Sequence, residues 1–263
     1  AAAAAAVSAA AISAAQAAFT GWAAMTPVGR GRILSKASQL LESRKAELAD
    51  WREGLTSGFL APTDFQKEVI DLVDKYQIPL DLMTAIIDGC EMDTEPLRFR
   101  TWEELQGYTW KVACAVGLIS LKLFGATDPK SETFAVALGH ALQLTNIMRD
   151  IGEDAANNGR IYLPLDDLEK FSYSEEDLLN RTYDARFTAL MQFEFERCHQ
   201  LYETARTSLP ASDRKALVCA EVMREIYHTV LTQMKADQFR VFDKRYSLST
   251  FRKMAILAKH MVG

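Results

Sequence analysis

The chain has 263 residues, of which 49% are apolar, and its 35 acidic and 30 basic side chains give a net charge of −5. This length and composition allow one large hydrophobic core or two small ones. The negative charge argues against a nucleic-acid partner, because neutralising phosphates takes clustered Lys and Arg.

No run of about 18 purely apolar residues occurs, so no membrane-spanning helix is expected. The four histidines and four cysteines are scattered without the spacing of a zinc site. The cysteines are typical of small buried residues in a reducing cytoplasm, and they are Cys90, Cys114, Cys198 and Cys219.

Residues 1–45 form an N-terminal segment that begins almost entirely with alanine. Alanine is the best helix former, so a helix is predicted there. The segment lacks the charged start and leucine-rich centre of a signal peptide. The sequence leaves open whether these are the natural residues, and we treat them apart from residues 46–263.

Apolar residues at helical spacing predict the remaining elements. Thr63 or Asp64 is expected to cap the second of these helices, and Thr101 with Glu104 forms a capping box at the fourth. No strand-length alternation and no repeat is present, so we predict one all-α domain with helices around a central space. The predicted helices cover residues 31–55, 62–76, 80–93, 101–125, 131–158, 174–181, 182–208, 211–237 and 247–262.

The stretch NIMRDIGEDAANNGRIYLP, residues 146–164, places carboxylates at helical spacing. Asp150 and Asp154 are four residues apart and share a helix face, where two like charges repel each other. A divalent cation reverses that repulsion, and Mg²⁺ is usually held by one or two carboxylates together with substrate phosphates. Asn146 and Gln143 continue the same face upstream with further oxygen atoms.

The surroundings of this stretch favour a binding cavity over a solvated helix end. The preceding residues, FAVALGHALQL, are apolar on nearly every face and predict a buried helix. A buried helix that carries amide and charged side chains in succession is expected to line a cavity. Arg149 and Arg160 could pair there with phosphate oxygens.

The segment ALGHALQLTNIMRDIGEDAANNGRIYLP resembles the second aspartate-rich motif of squalene and phytoene synthases. The resemblance extends to YQIPLDLMTAIIDGCEMD, TWEELQGYTWKVACAVGLISLKLFG and YHTVLTQMKADQFRVFDKR, and it covers residues 46–263. The motif positions are Gln143, Asn146, Arg149, Asp150, Glu153, Asp154, Gly159, Arg160, Tyr162, Leu163 and Pro164.

The resemblance implies a single-domain, all-α bundle of the isoprenoid-synthase type around a central cavity. Two aspartate-rich helices would face each other, each binding Mg²⁺, for which Mn²⁺ could substitute, and a diphosphate. The implied metal ligands are Asp150, Asp154 and Asn146. The implied substrate-binding residues are Gln143, Asn146, Arg149, Arg160 and Arg245. The implied catalytic residues are Asp150, Asp154, Tyr108 and Tyr227.

The implied reaction joins two prenyl diphosphates head to head. We expect two farnesyl diphosphates to give presqualene diphosphate and a squalene-type C30 product. The alternatives are two geranylgeranyl diphosphates giving phytoene, and a non-catalytic binding or assembly protein. No GxGxxG loop supports the use of NADPH.

The expected location is cytoplasmic, with peripheral membrane contact through an amphipathic surface in MAILAKHMV near the end of the chain. Packing of that segment into the core is the competing interpretation. The sequence leaves the oligomeric state open.

The family's first aspartate-rich motif is expected near residues 15–28, where no such motif is present. Three explanations remain open. The N-terminal residues are not those of the natural enzyme, or the protein has lost catalysis, or other carboxylates act with the second motif. The candidates for that last role are Asp88, Glu91 and Asp93.

Overall fold

The computed structural model describes residues 45–94, 97–156 and 159–262. Every regular element within these ranges is a helix, and none is a strand, which confirms the predicted all-α fold. The predicted N-terminal helix and most of the helix predicted over 31–55 lie outside the described residues. The helices are α1 (Lys45–Ser57), α2 (Asp64–Tyr76), α3 (Leu80–Met92), α4 (Trp102–Thr109), α5 (Ala115–Phe124), α6 (Lys130–Ala156), α7 (Leu165–Lys170), α8 (Glu175–Leu179), α9 (Ala185–Ser208), α10 (Val218–Ala236) and α11 (Thr250–Val262).

The longest helix, α6, lies at the centre of the described part of the chain. Its 27 residues give it a length of about 40 Å, and it packs against α5, α9 and α10. Small and aliphatic residues dominate its sequence as far as Leu144, so neighbours can cover it on most sides. The polar C-terminal half of this helix is therefore held in a fixed position among its neighbours.

The N-terminal caps agree with the sequence at two predicted positions. The Thr63 hydroxyl accepts a hydrogen bond from the backbone N–H of Gln66 and caps α2. The Thr101 hydroxyl accepts from the backbone N–H of Glu104. In the predicted capping box, the Glu104 carboxylate would accept a hydrogen bond from the backbone N–H of Thr101. It accepts one from the backbone N–H of Arg100 instead, one residue earlier.

The helix predicted over 101–125 is interrupted by a π-helical turn, Trp110–Cys114, that joins α4 to α5. This turn packs tightly between α3 and α6. A Cβ on Gly139 of α6 would lie 2.8 Å from Cα of Cys114, and a Cβ on Gly89 of α3 would lie 2.6 Å from a methyl of Val112. The two glycines therefore allow the close approach of three helical segments next to Tyr108.

The helix predicted over 211–237 begins later, at Val218, because the buried side chain of Asp213 is engaged elsewhere. Its carboxylate accepts hydrogen bonds from the backbone N–H groups of Thr127 (3.0 Å) and Asp128 (2.9 Å) and from the Ser131 hydroxyl (2.7 Å). These bonds fix the beginning of α6, and residues 211–217 form turns instead of a helix.

The buried apolar residues form two clusters. One joins α1, α2 and α3 to α5, the other surrounds α6 and α9, and Leu118 packs against both. Cys114 and Cys198 are buried as predicted, whereas Cys90 and Cys219 are half-buried. Within the described residues, no helix combines the length and the apolar content needed to cross a membrane.

We expect Gly139→Ala to destabilise the protein by about 1–3 kcal/mol, because the new methyl group would meet backbone atoms that cannot rotate away. The matched control is Gly107→Ala on α4, where an added Cβ meets no atom within 4 Å. That control should be neutral or stabilising by up to about 1 kcal/mol. Urea unfolding measures both, and equal stabilities of the two variants would contradict the packing described for the π-helical turn.

Candidate active site

The C-terminal half of α6 presents four polar side chains along one face, as the helical spacing predicted. Gln143, Asn146, Asp150 and Asp154 are all half-buried. The Asp150 side chain is 18% exposed, so it does not extend freely into solvent. The two carboxylates thus lie one helical turn apart, in an environment that exposes neither fully.

Asp150 is neutralised by two arginines in this structure. Nε of Arg149 donates to its Oδ1 at 2.8 Å, and Nε of Arg245 donates to the same oxygen at 3.1 Å. Arg245 comes from the loop that precedes α11 and also lies 3.7 Å from Glu153. The predicted substrate-binding residues Arg149 and Arg245 therefore meet at one of the predicted metal ligands.

A third cation, Lys253 of α11, lies near Arg149 and was missed from the sequence. It is half-buried, and burial and the nearby charge of Arg149 lower the pKa of its ammonium group. Within the described residues, no carboxylate lies within ion-pair distance of Lys253. The predicted catalytic residue Tyr227 of α10 also lies next to Arg149. A set of cations that exceeds its carboxylate partners is suited to an anion.

Asp154 differs from Asp150 in its surroundings. Burial and the nearby charge of Asp150 raise the pKa of Asp154 to about 7, although Arg160 opposes this shift. The space beside Asp154 is a small cavity of about 10 Å³ that Arg160 and Tyr162 help to line. The sequence predicted a larger central cavity. The described residues do not enclose one of that kind beside Asp154.

Asp93, at the end of α3, joins the same site through two tyrosines. The Tyr108 hydroxyl donates to its carboxylate at 2.9 Å, and the Tyr162 hydroxyl donates at 3.2 Å. A guanidinium nitrogen of Arg160 donates to the backbone carbonyl of Asp93 at 2.9 Å. Burial raises the pKa of Tyr108 well above its usual range, so this hydroxyl keeps its proton and its bond to Asp93.

The rings beside Asp93 form an aromatic wall. The Tyr108 ring centroid lies 5.3 Å from that of Phe99 and 5.6 Å from that of Tyr162. Rings at these distances attract each other and present their faces and edges to an apolar ligand. Tyr162 was part of the recognised motif but was not predicted as a site residue.

The three carboxylates proposed as an alternative to the first motif separate in the structure. Asp88 and Glu91 accept hydrogen bonds from one nitrogen of Arg52 at 2.7 and 2.8 Å. Asp93 instead lies close enough to Asp154 to raise its pKa. The expected region of the first motif, residues 15–28, lies outside the described residues.

The donor set on α6 fits a hard divalent cation. Oδ1 of Asn146 is buried and has no hydrogen-bond partner, although buried polar atoms rarely lack one. It lies one turn before Asp150, on the face shared with Asp154. Among the described residues, no three His, Cys, Asp or Glu side chains converge as a complete metal site. An amide oxygen and two carboxylates therefore suit Mg²⁺ bound jointly with a phosphate ligand.

Comparisons with known proteins agree with this arrangement. A family model described as Squalene/phytoene synthase matches residues 33–252. The chain is 36% identical over 231 residues to "Phytoene synthase" of Arthrospira platensis, a match that covers 80% of this chain and 72% of that protein. It is 36% identical over 219 residues to "15-cis-phytoene synthase" of Synechocystis sp., with 78% of this chain and 64% of the relative covered.

A solved structure described as a dehydrosqualene synthase in complex with ligand has the same helical fold. It superposes with a TM-score of 0.66 at 26% identity, covering 86% of this chain and 77% of that chain. The chain therefore shares both its sequence and its architecture with one group of enzymes, while it spans just under two thirds of the Synechocystis relative.

In the metal-free protein, we expect Asp154 to contribute a stabilisation that decreases as the pH rises from about 4 to about 8. The pKa of Asp154 is higher in the folded protein than its ordinary value of 3.8, so the folded state binds this proton more tightly. The resulting stabilisation is fully present below the ordinary pKa and is lost as the pH rises through about 7. Asp154→Asn should remove up to about 4 kcal/mol of this pH dependence.

Urea unfolding in the presence of a chelator measures this dependence. Glu132→Gln is the matched control, because Glu132 lies exposed in the first turn of the same helix. It should keep the pH dependence of the unchanged protein. A pH dependence that survives intact in Asp154→Asn would show that the buried charge of Asp154 is not its source.

Proposed function

Because the chain belongs to the squalene/phytoene synthase family of prenyltransferases, we propose that it joins two prenyl diphosphates head to head. The observation that carries this proposal is the α6 face, where Asn146, Asp150 and Asp154 lie beside Arg149 and Arg245. Oxygen ligands for a divalent cation, next to two arginines that share the single carboxylate of Asp150, fit a metal-bound diphosphate.

In the proposed complex, Asp150, Asp154 and the Asn146 amide oxygen hold Mg²⁺. When bound, Mg²⁺ withdraws charge from the diphosphate leaving group. Arg149, Arg245 and Lys253 neutralise the phosphate oxygens, and Gln143 lies one turn further up the same face. Arg149 and Arg245 would exchange their bonds to Asp150 for bonds to phosphate, so that Asp150 becomes available as a ligand.

Departure of the diphosphate leaves an allylic carbocation, which the double bond of the second substrate attacks. The Phe99, Tyr108 and Tyr162 rings offer electron-rich faces that stabilise a cation and exclude water. Asp93 orients the Tyr108 hydroxyl, because its carboxylate accepts a hydrogen bond from that hydroxyl at 2.9 Å. Tyr227, next to Arg149, is suited to orient the diphosphate.

For the chain length of the substrate, we propose two geranylgeranyl diphosphates and phytoene as the product. The support comes from the names of the two relatives, both phytoene synthases at 36% identity. The sequence alone favoured farnesyl diphosphate and a C30 product. This remains the second candidate, because a dehydrosqualene synthase has the same fold.

The non-catalytic alternative rests on the sequence before residue 45, where the first aspartate-rich motif is expected. Asp93 supplies one further carboxylate near Asp154, but it is engaged by two tyrosine hydroxyls. A binding protein would keep the diphosphate site on α6 and would release no pyrophosphate.

We expect purified protein to release pyrophosphate from geranylgeranyl diphosphate only when Mg²⁺ is present. Asp150→Asn and Asp154→Asn should each reduce the rate by about 100-fold or more, because each removes an ionic metal ligand. Glu132→Gln removes a carboxylate from the exposed start of the same helix and should leave the rate unchanged. Loss of activity in that control, or retention in both aspartate variants, would contradict the assignment of α6.

The product distinguishes the two chain lengths. Supplied with equal concentrations of farnesyl and geranylgeranyl diphosphate, the protein should form mainly C40 phytoene, identified by chromatography and mass spectrometry of the extracted lipids. A mainly C30 product would instead support farnesyl diphosphate as the substrate, as the sequence predicted. Binding of either diphosphate without any hydrocarbon product would support the non-catalytic alternative.

A further inference from the structure

The N-terminal part of α10 is held in place with little burial. None of the side chains of residues 218–229 is buried, and the buried residues of this helix begin at Val230. Ile226 and Tyr227 are half-buried against the core. A segment with so few buried contacts relies on specific polar contacts for its position.

One such contact joins α10 to α9 through His199 and His228, which we call the histidine pair. Nδ1 of His199 lies 3.0 Å from Nε2 of His228, and the two ring planes are 22° apart. The ring centroids are 5.2 Å apart, much further than the two nitrogens, so these nitrogens face each other. This is the geometry of an N–H···N hydrogen bond between two imidazoles that lie nearly in one plane.

Aromatic rings and hydroxyl groups hold both imidazoles in this orientation. The Phe195 ring lies nearly parallel to the His199 ring, with centroids 5.7 Å apart, and the Tyr202 ring meets the His228 ring edge to face at 5.0 Å. The Tyr202 hydroxyl bonds to the Thr145 hydroxyl of α6 at 2.8 Å. The histidine pair is therefore anchored to the helix that carries the candidate site.

The hydrogen bond within the histidine pair needs one ring that accepts. A neutral imidazole has one N–H donor and one bare acceptor nitrogen, whereas a protonated ring only donates. The bond therefore exists when at least one ring is neutral. It is lost when both rings are protonated, and two positive rings at this distance also repel each other. Uptake of the second proton is a property of the pair and not of either histidine alone.

Charged groups from α9, α10 and α11 surround the histidine pair. Burial lowers the pKa of His228, and the nearby charges of His199 and Arg224 act in the same direction. Two carboxylates oppose this shift, but both already bond to cations. They are Glu203, bonded to Arg206, and Glu225, bonded to Lys259 and His260 of α11. The balance favours a neutral His228 ring near neutral pH, so the hydrogen bond is intact there.

We propose that the histidine pair positions Tyr227 at the candidate diphosphate site and makes this position depend on pH. Tyr227 directly precedes His228 and lies next to Arg149. A displacement of α10 relative to α9 would therefore carry the Tyr227 hydroxyl away from the diphosphate. The proposal rests on the proposed function, in which Tyr227 orients the diphosphate.

The pH dependence has a defined direction. Because the pKa of His228 is lower in the folded protein than its ordinary value of 6.5, the folded state binds this proton more weakly than the unfolded state does. The stabilisation from the neutral histidine pair is fully present above this value and is lost as the pH falls below it. Tyr227 should therefore keep its position near neutral pH and lose it in acid.

Calorimetric binding of inorganic pyrophosphate in the presence of Mg²⁺ tests the proposal without requiring turnover. His228→Leu removes the hydrogen bond at every pH and should weaken binding about tenfold at about pH 7.5, the contribution of one hydrogen bond to a charged group. His228→Gln places an amide near the position of Nε2, so it can bond to His199 without titrating. It should bind normally at about pH 7.5 and should lack the additional loss of about tenfold that the unchanged protein shows between about pH 7 and pH 5.

Protonation of pyrophosphate and of Asp154 weakens binding in all these proteins alike, so the difference between them reports on the histidine pair. His260→Gln is the matched control, because it removes another imidazole that bonds to a side chain of α10 but leaves the pair intact. It should match the unchanged protein at both pH values, and circular dichroism should show that all variants keep their helices. Equal affinities of His228→Leu and the unchanged protein, or the same acid loss in His228→Gln, would overturn the proposal.

A double variant separates the positioning of Tyr227 from a general effect on stability. If the histidine pair acts through Tyr227, His228→Leu should cause almost no further loss of pyrophosphate binding in a protein that already carries Tyr227→Phe. Additive losses would show that the pair acts independently of Tyr227 and would also overturn the proposal.

Turnover separates this proposal from the proposed function. Pyrophosphate binding that responds to the histidine pair, without any product from geranylgeranyl diphosphate, would contradict the reaction alone. Turnover together with pyrophosphate binding that ignores the variants would contradict the role of the pair alone. Absence of pyrophosphate binding by the unchanged protein would contradict both.

Discussion

The repulsion between Asp150 and Asp154 is the constraint on which the rest of the site depends. Both carboxylates are half-buried one turn apart on α6, where each disfavours the charge of the other. The structure compensates them unequally, because Asp150 bonds to Arg149 and Arg245, whereas Asp154 has a pKa raised to about 7. Lys253, beside Arg149, carries a positive charge that no carboxylate among the described residues matches at ion-pair distance. A metal-bound diphosphate would satisfy the carboxylates and this cation at once.

The scaffold keeps these charges in place by close packing of helices that are distant in sequence. Gly139 and Gly89 let the π-helical turn fit between α6 and α3, and this turn directly follows Tyr108. Tyr108 in turn reaches Asp93 at the end of α3. The site therefore combines residues of α6, of the end of α3 and of the loop before α11. A packing error at any of these three places would displace charged groups.

Features that depend on local periodicity could be predicted from the sequence, whereas features that depend on tertiary packing could not. The shared face of Asn146, Asp150 and Asp154 is a property of a single helix, so spacing alone identified it. The hydrogen bonds of Asp93 span 15 to 69 residues, and the position of Lys253 depends on a contact across about 100 residues. A single sequence carries no periodic signal for contacts at these separations. The delayed start of α10 has the same origin, since the long-range bonds of Asp213 outweigh the helical preference of residues 211–217.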